Sequence, residues 1–402
     1  MRAAGPILTL LYSASIVLGQ TDLALVGGTI YASPTEEPIK NGVVLIRRGK
    51  ISAVGSRALL QVPSSFRSLN CSGLTITAGF WNSHVHFFER KWADAAAIPG
   101  PELSLQLQEM VTRYGFTSVF DVGSVWQNTR RIRDRIEAGE LPGPGIRSTG
   151  EVLIAPGAAP AASVLGILGY MALRNPEIAD AAQATEATRK LLDAGVDGIK
   201  VHLQTAIPES AIRAAVTEAN RAGKPVFVHP STRQDVLTAV RAGADVIAHT
   251  TPRSPWDEGT VAAMKGRRVA LVPTLSLWRH LLRHDRTSAQ EQSINAAIGQ
   301  LRSWVAAEGA VLFGTDLGAT EYDPRDEYTL MAASGMSFTQ ILAALTTVPA
   351  QRFGVEKQMG RIAVGLEADL VALKDDPTKN IRALADVRYT LRAGKIIFRS
   401  GL

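Results

Sequence analysis

Beyond residue 75 the chain alternates short apolar runs with longer helix-like stretches. The runs 75–80, 117–122, 146–149, 198–203, 225–229, 245–249, 268–274 and 311–314 are rich in β-branched and aromatic positions and read as strands. Between them, 104–114, 129–138, 182–194, 209–222, 233–242, 258–265 and 289–307 read as helices, and 327–334 and 339–346 follow the last run. Asp193-Ala194-Gly195, Arg221-Ala222-Gly223 and Arg241-Ala242-Gly243 each place a glycine where a helix would close before the next strand. Eight strands, each followed by a helix, predict an α/β fold of the (β/α)8 TIM-barrel type over residues 75–354. A doubly wound open sheet is the competing topology. No Gly-x-Gly-x-x-Gly follows a strand, so nothing supports a dinucleotide site.

The two ends have a different pattern. Leu23-Ala24-Leu25-Val26, Thr29-Ile30-Tyr31, 43–47 and 50–55 are short strand-like runs punctuated by Gly27-Gly28, Asn41-Gly42 and Arg48-Gly49. Near the C-terminus, 365–373 reads as a turn and a buried strand, and 387–391 returns through Ala393-Gly394 to Ile396-Ile397-Phe398 as a hairpin. Strands this short bury little by themselves. Both ends are therefore expected to pair into one small β-sandwich, a discontinuous domain of residues 20–74 and 355–402 with the barrel inserted between its halves.

Arg2 is followed by an uncharged stretch from Ala3 to Gly19, the pattern of a secretory signal peptide over residues 1–19 cleaved near Gly19-Gln20. This predicts a periplasmic or secreted protein with no stable membrane span once the leader is removed; the alternative is a protein anchored to the membrane by an uncleaved N-terminal helix. The chain has 402 residues, 46% hydrophobic and 20% charged, enough for a large core. The net charge of +6 is small and its basic residues are scattered, which argues against nucleic-acid binding. A single cysteine, Cys71, excludes an intrachain disulfide and reads as a packed residue.

Within this frame the polar residues at strand ends stand out. His84 and His86 alternate along the extension of the first predicted strand, so they would share a face about 7 Å apart, within reach of one metal ion. Lys200 lies in the fourth strand, His229 and His249 end the fifth and sixth, and Asp316 follows the eighth. Four of the seven histidines fall at strand ends; His202 lies inside the fourth, and His280 and His284 follow the seventh. Chemistry in such barrels sits at the C-terminal strand ends. Burying these groups unpaired would be costly, so a metal site explains them better than packing.

The set His84-Val85-His86, Lys200, His229, His249 and Asp316, in that order, resembles the amidohydrolase superfamily of metal-dependent hydrolases, and its imidazolonepropionase- and prolidase-like branch most. Val26-Gly27-Gly28-Thr29-Ile30 and the segment 360–371 resemble that family's flanking β-domain, so the likeness spans almost all of the chain after the leader. It implies two divalent metals, zinc by preference, bridged by a carbamate formed from carbon dioxide on Lys200. His84, His86 and Asp316 would then hold the first metal and His229 and His249 the second. A hydroxide bridging the metals would attack a carbonyl, with Asp316 as the proton carrier. Lys200 keeps two other readings, an ion pair beside a single metal and a Schiff base. His202, Arg253, Trp278, His280 and Tyr322 are candidates for contacting substrate, with packing or loop surface as the alternative; Asp121 reads as a supporting or structural residue. The expected activity is cleavage of a C–N amide or cyclic amide bond in a small molecule, such as a dipeptide with a proline-like end or an N-acyl amino acid. Lactone or phosphoester hydrolysis on the same site, or a non-catalytic barrel that binds without reacting, are the alternatives. Self-association into a homo-oligomer is left open.

Overall fold

The computed structural model describes residues 22–158, 174–203, 206–281 and 288–401. The leader expected at 1–19 and His284 lie outside the described residues. Among those described, no helix is long and apolar enough to cross a membrane.

The two chain ends meet in one eight-stranded sheet. Its order runs Lys395–Arg399, Val387–Arg392, Leu370–Leu373, Thr75–Ala78, Leu23–Ile30, Ile39–Arg47 and Lys50–Ser56, with Arg67–Asn70 pairing alongside Leu23–Ile30. Two hairpins turn through Arg48-Gly49 (φ 51° and 79°) and Ala393-Gly394 (φ 45° and 72°), the paired positive values of a tight turn matched to strand twist. Side chains alternate as the pleat requires. Leu25, Val44, Ile76, Leu370 and Leu391 pack together on one side around buried Cys71, whereas Ala24, Val43, Leu45 and Phe66 pack on the other.

The middle of the chain forms parallel strands in sequence order. One sheet holds Phe80–Val85, Phe116–Asp121 and Gly145–Ser148; the other holds Ile199–Leu203, Val226–Pro230, Val246–Ala248, Ala270–Val272 and Ala310–Val311. Backbone hydrogen bonds join the two sheets on both sides. Leu153 N donates to Lys200 O (2.8 Å) and His202 N to Leu153 O (3.0 Å). On the other side Ser83 N donates to Phe313 O (2.7 Å), Asp316 N to His84 O (2.9 Å) and His86 N to Leu317 O (2.7 Å). Helices such as Ala181–Asp193, Glu209–Arg221 and Arg233–Ala242 connect successive strands. The last begins in a reciprocal cap between Thr232 and Asp235 and ends at Gly243 (φ 95°).

The sequence reading needs one correction at the first strand. Residues 75–80 do not form a single barrel strand: Thr75–Ala78 pairs antiparallel with Leu370–Leu373 in the terminal sheet, and the strand beside Phe116–Asp121 is Phe80–Val85. Gly79 makes the step between sheets possible. Its backbone runs so close to Thr117 that a Cβ would lie 2.2 Å from the Thr117 hydroxyl. As a result His84 lies within a strand and His86 just beyond its end.

Alternation along the parallel strands separates two surfaces. Phe80, Phe116, Val119, Val226 and Val228 join the large core beneath the helices. Trp81, Phe120, Phe227, Val246, Leu312 and Phe353 form a second apolar cluster, with Phe120 and Phe227 4.7 Å apart and Phe120 and Phe353 5.0 Å apart. Two residues beyond Phe227 on the same face stands His229, so the apolar cluster forms a floor under the polar strand ends.

Candidate metal centre

Asp316 brings the first and last parallel strands together. Its Oδ1 lies 3.1 Å from His84 Nε2 and 2.8 Å from His86 Nε2, and the three ligand-type atoms fall within 4.8 Å of one another. These contacts lack hydrogen-bond geometry: Asp316 Oδ1 and both ring nitrogens of His84 are buried without a hydrogen-bond partner. Gly314 allows the approach, since a Cβ there would lie 2.3 Å from Val272 Cγ1 and 2.8 Å from His84 Cβ. Asn82 ties the same strands, donating from Nδ2 to Thr315 Oγ1 (2.8 Å) and accepting from His84 N (3.2 Å).

Five imidazole rings form an unbroken series. His202 stacks on His229 with centroids 4.0 Å apart, His229 meets His249 at 4.5 Å, His249 meets His84 at 4.6 Å, and His84 meets His86 at 5.2 Å. Lys200 is 2% exposed and its Nζ has no hydrogen-bond partner. Burial lowers the Lys200 ammonium to about 7, against the pull of the Asp316 carboxylate. Burial also lowers His84 to about 3 and His202 to about 4, aided by the Lys200 charge, and holds His229 and His249 well below the usual range. Burial pushes the Asp316 carboxyl upward, but His84 and His86 outweigh it and keep Asp316 well below the usual carboxylate value. Burial thus favours neutral imidazoles at His84, His202, His229 and His249 beside the ionised Asp316 carboxylate, the protonation state in which such groups bind a divalent cation.

Two of the rings are held from behind. His86 Nδ1 lies 2.7 Å from the Gly123 carbonyl, and His249 Nδ1 lies 2.6 Å from Thr274 Oγ1. A carbonyl only accepts, so His86 Nδ1 carries a proton, and Nε2 is the nitrogen turned toward Asp316. Among the described residues, three of the nine non-glycine positions with positive φ are here: His249 (87°), Thr274 (43°) and Asp316 (62°). Backbone strain of this kind gathers at functional sites.

The softer candidates do not converge in the same way. His202 joins the ring series. Trp278 donates from Nε1 to Thr250 Oγ1 (2.9 Å), next to His249. Tyr322 donates to Glu89 (2.6 Å) and accepts from Lys91, so it links the loops that follow His86 and Asp316. His280 lines a polar cavity of about 340 Å³ with Arg279, Asp323, Arg325 and Arg382, beside Ser276 and Thr320. Arg253 is exposed in the turn after the sixth parallel strand. Sequence reasoning missed Gly123, Thr274, Asn82, Glu89 and Glu327. None belongs to a local motif; each is defined by a partner far along the chain.

The orphaned donor set tests whether a metal belongs here. Buried His84 nitrogens, Asp316 Oδ1 and Lys200 Nζ have unmet bonding capacity, and a nitrogen-and-oxygen set of this kind fits a divalent ion. The sequence pattern of the Amidohydrolase family matches residues 75–397. An ochratoxinase of Aspergillus niger is 24% identical over 445 residues, covering 96% of this chain and 90% of the relative. A Xaa-Pro dipeptidase with bound methionine superimposes with a TM-score of 0.79 at 20% identity, covering 94% of this chain and 100% of the other. A prolidase complexed with N-methylphosphonate-L-proline gives a TM-score of 0.76 at 24% identity, covering 94% and 100%. The family match spans the strands that bear every candidate ligand, and this chain is a member of the amidohydrolase family, metal-dependent hydrolases that act on carbon–nitrogen bonds.

Proposed function

We propose that the protein cleaves the amide bond of a dipeptide with a proline-like end, or of an N-acyl amino acid, at a centre of two divalent cations. The observation that carries this reading is the buried Lys200 Nζ without a partner, amid four histidines and an aspartate. An ammonium in that position would repel cations. Burial favours the neutral amine, which can add carbon dioxide and become an anionic oxygen donor. In this reading His84, His86 and Asp316 would hold one zinc ion and His229 and His249 the other, with a carbamate on Lys200 as a shared anionic donor. Bound cations would supply an ionisable water at neutral pH and polarise the substrate carbonyl.

The chain's own residues do the remainder. Asp316 is ionised and stands between His84 and His86, so its carboxylate can take a proton from the attacking water and return it to the leaving nitrogen. His202, stacked on His229, orients that ring and borders the substrate space. Trp278, His280, Arg253 and Tyr322, on the segments that follow the sixth, seventh and eighth parallel strands, are proposed as substrate contacts. The substrate class is supported by the Xaa-Pro dipeptidase and prolidase among the similar structures.

In the same proposal the eight parallel strands, from Phe80–Val85 to Ala310–Val311, close into one (β/α)8 barrel, and the two chain ends fold together with Thr75–Ala78 as a β-sandwich domain. The hydrogen bonds joining the two parallel sheets on both sides support closure. The uncharged stretch after Arg2 supports export of the protein with residues 1–19 as the leader.

The test is metal analysis followed by a substrate panel. Protein produced with zinc or manganese is expected to carry two equivalents by mass spectrometry of the metals. It should hydrolyse members of a dipeptide and N-acyl amino acid series faster than lactones or phosphoesters. A metal-free protein, or electron density for a bare ammonium at Lys200 in the loaded enzyme, would overturn the two-cation centre.

A further inference from the structure

We propose that Asp121, which touches none of the candidate ligands, is a positioning residue that sets the tautomer and direction of the His86 ring. The inference rests on the metal-centre reading above. Asp121 ends the second parallel strand and is fully buried. Its carboxylate accepts three hydroxyl hydrogen bonds: Ser124 Oγ to Oδ1 at 2.6 Å, Ser148 Oγ to Oδ2 at 2.7 Å, and Thr129 Oγ1 to Oδ2 at 2.9 Å. No cation pairs with it in these contacts, so the hydroxyls are what solvate the group.

Two short paths lead from this carboxylate to His86. In one, Ser124 donates to Asp121, which leaves its oxygen free to accept from Phe87 N at 2.8 Å, the residue following His86. In the other, the loop between Asp121 and Ser124 contains Gly123, whose carbonyl receives the His86 Nδ1 proton at 2.7 Å. Gly123 has φ 148°, and a Cβ there would lie 2.8 Å from Val152 Cγ2 and 3.4 Å from His86 Cε1. The loop is therefore clamped between Asp121 and the ring. Fixing Asp121 fixes the Gly123 carbonyl, and the carbonyl forces the proton onto Nδ1 and leaves Nε2 as the ligand atom. Ser148 binds the same carboxylate from the third strand but reaches the loop less directly: its oxygen accepts from Gly150 N (2.9 Å), and the Gly150 carbonyl accepts from Ser124 N (3.1 Å). It provides the milder comparison.

The experiment compares the wild type with Asp121→Ala, Ser124→Ala and Ser148→Ala. Each is stripped by chelation and titrated with Co²⁺ in competition with a chromophoric chelator. Thermal unfolding of each stripped chain reports folding. Asp121→Ala and Ser124→Ala are expected to weaken Co²⁺ binding about 10- to 100-fold, the usual scale for losing a group behind a metal ligand, and to shift the visible cobalt spectrum. Ser148→Ala should weaken binding less than either of them. If Asp121→Ala does not fold, Ser124→Ala carries the comparison alone. Wild-type affinity in both Asp121→Ala and Ser124→Ala, or an equal loss in Ser148→Ala, would overturn the proposal. A second readout needs no metal: long-range ¹H–¹⁵N spectra of the stripped wild type should show His86 protonated at Nδ1, and Ser124→Ala should show a mixture of tautomers. A wild type that binds no Co²⁺ removes the metal-centre reading. In that case the ¹⁵N spectra decide on Asp121 by themselves: a tautomer that Ser124→Ala leaves unchanged overturns it.

Discussion

In the proposed two-cation centre, Lys200 decides how much metal is held. Its amine is buried, and no side chain bonds it. Lys200→Met keeps the volume and removes the nitrogen. It is expected to retain one cation at most, against two in the wild type. Losing a cation that stabilises the transition state by several kcal/mol should lower kcat/KM about 10³-fold, measured on the best substrate of the panel. Gly314 is the second residue whose identity is dictated. Its missing Cβ is the space in which His84 and Val272 meet. Gly314→Ala is expected to destabilise the chain by about 1–3 kcal/mol through overpacking and to lower its metal content, read from urea midpoints and metal analysis of the same preparation.

At the scale of elements, two buried carboxylates hold backbone rather than chemistry. Glu327 accepts from Leu275 N (2.9 Å) and Ser276 N (2.7 Å), capping the helix Leu275–Leu281 immediately after Thr274, the partner of His249. Glu327→Ala leaves both donors buried without an acceptor and is expected to cost about 2–4 kcal/mol, visible as a lower urea midpoint. Asp369 immediately precedes the strand Leu370–Leu373 and accepts from Ala393 N at 2.7 Å, locking the C-terminal hairpin to its neighbour. Burial raises Asp369 from its ordinary value of 3.8 to about 7. The folded chain thus binds this proton more tightly than the unfolded chain does. Stability should fall as pH rises from about 4 to about 7 and level off above that. Asp369→Asn cannot ionise, so its urea midpoint should gain on the wild type between pH 5 and pH 8. Parallel pH curves for the two proteins would refute this assignment. Glu327, raised by burial to about 7, contributes a slope of the same sign that both proteins share.

At the scale of the molecule, the centre joins the beginning and end of the run of parallel strands. His84 and His86 come from the first strand and its end, Asp316 follows the last, and the backbone of these segments is directly hydrogen-bonded. The first strand in turn follows Thr75–Ala78, which pairs with the C-terminal Leu370–Leu373. A metal bound there would therefore tie together the first and last of the parallel strands. A ligand that binds only the folded chain adds about 2.7 kcal/mol at 100 times its Kd. Chelation is expected to lower the unfolding temperature, and restoring zinc should recover it. An unfolding temperature indifferent to chelator would mean that no cation bridges these strands.

The sequence by itself determined the periodicity of strands and helices, the hairpin turns at Arg48-Gly49 and Ala393-Gly394, and the chemical identity of the residues at the strand ends. These are local properties. Alternation puts Lys200 beside His202, and Phe227 beside His229, on one face whatever the rest of the chain does. Only the tertiary structure decided that Thr75–Ala78 leaves the parallel strands at Gly79, because that depends on how closely Thr117 approaches a backbone 38 residues earlier. Only it revealed that Gly123 and Thr274 hold the backs of His86 and His249, or that Tyr322 reaches Glu89. Those pairs are separated by 37, 25 and 233 residues, and a hydrogen bond across such a separation leaves no spacing in the sequence to read. Ligand atoms are chosen by residue type, whereas their direction is set by neighbours that the fold alone assembles.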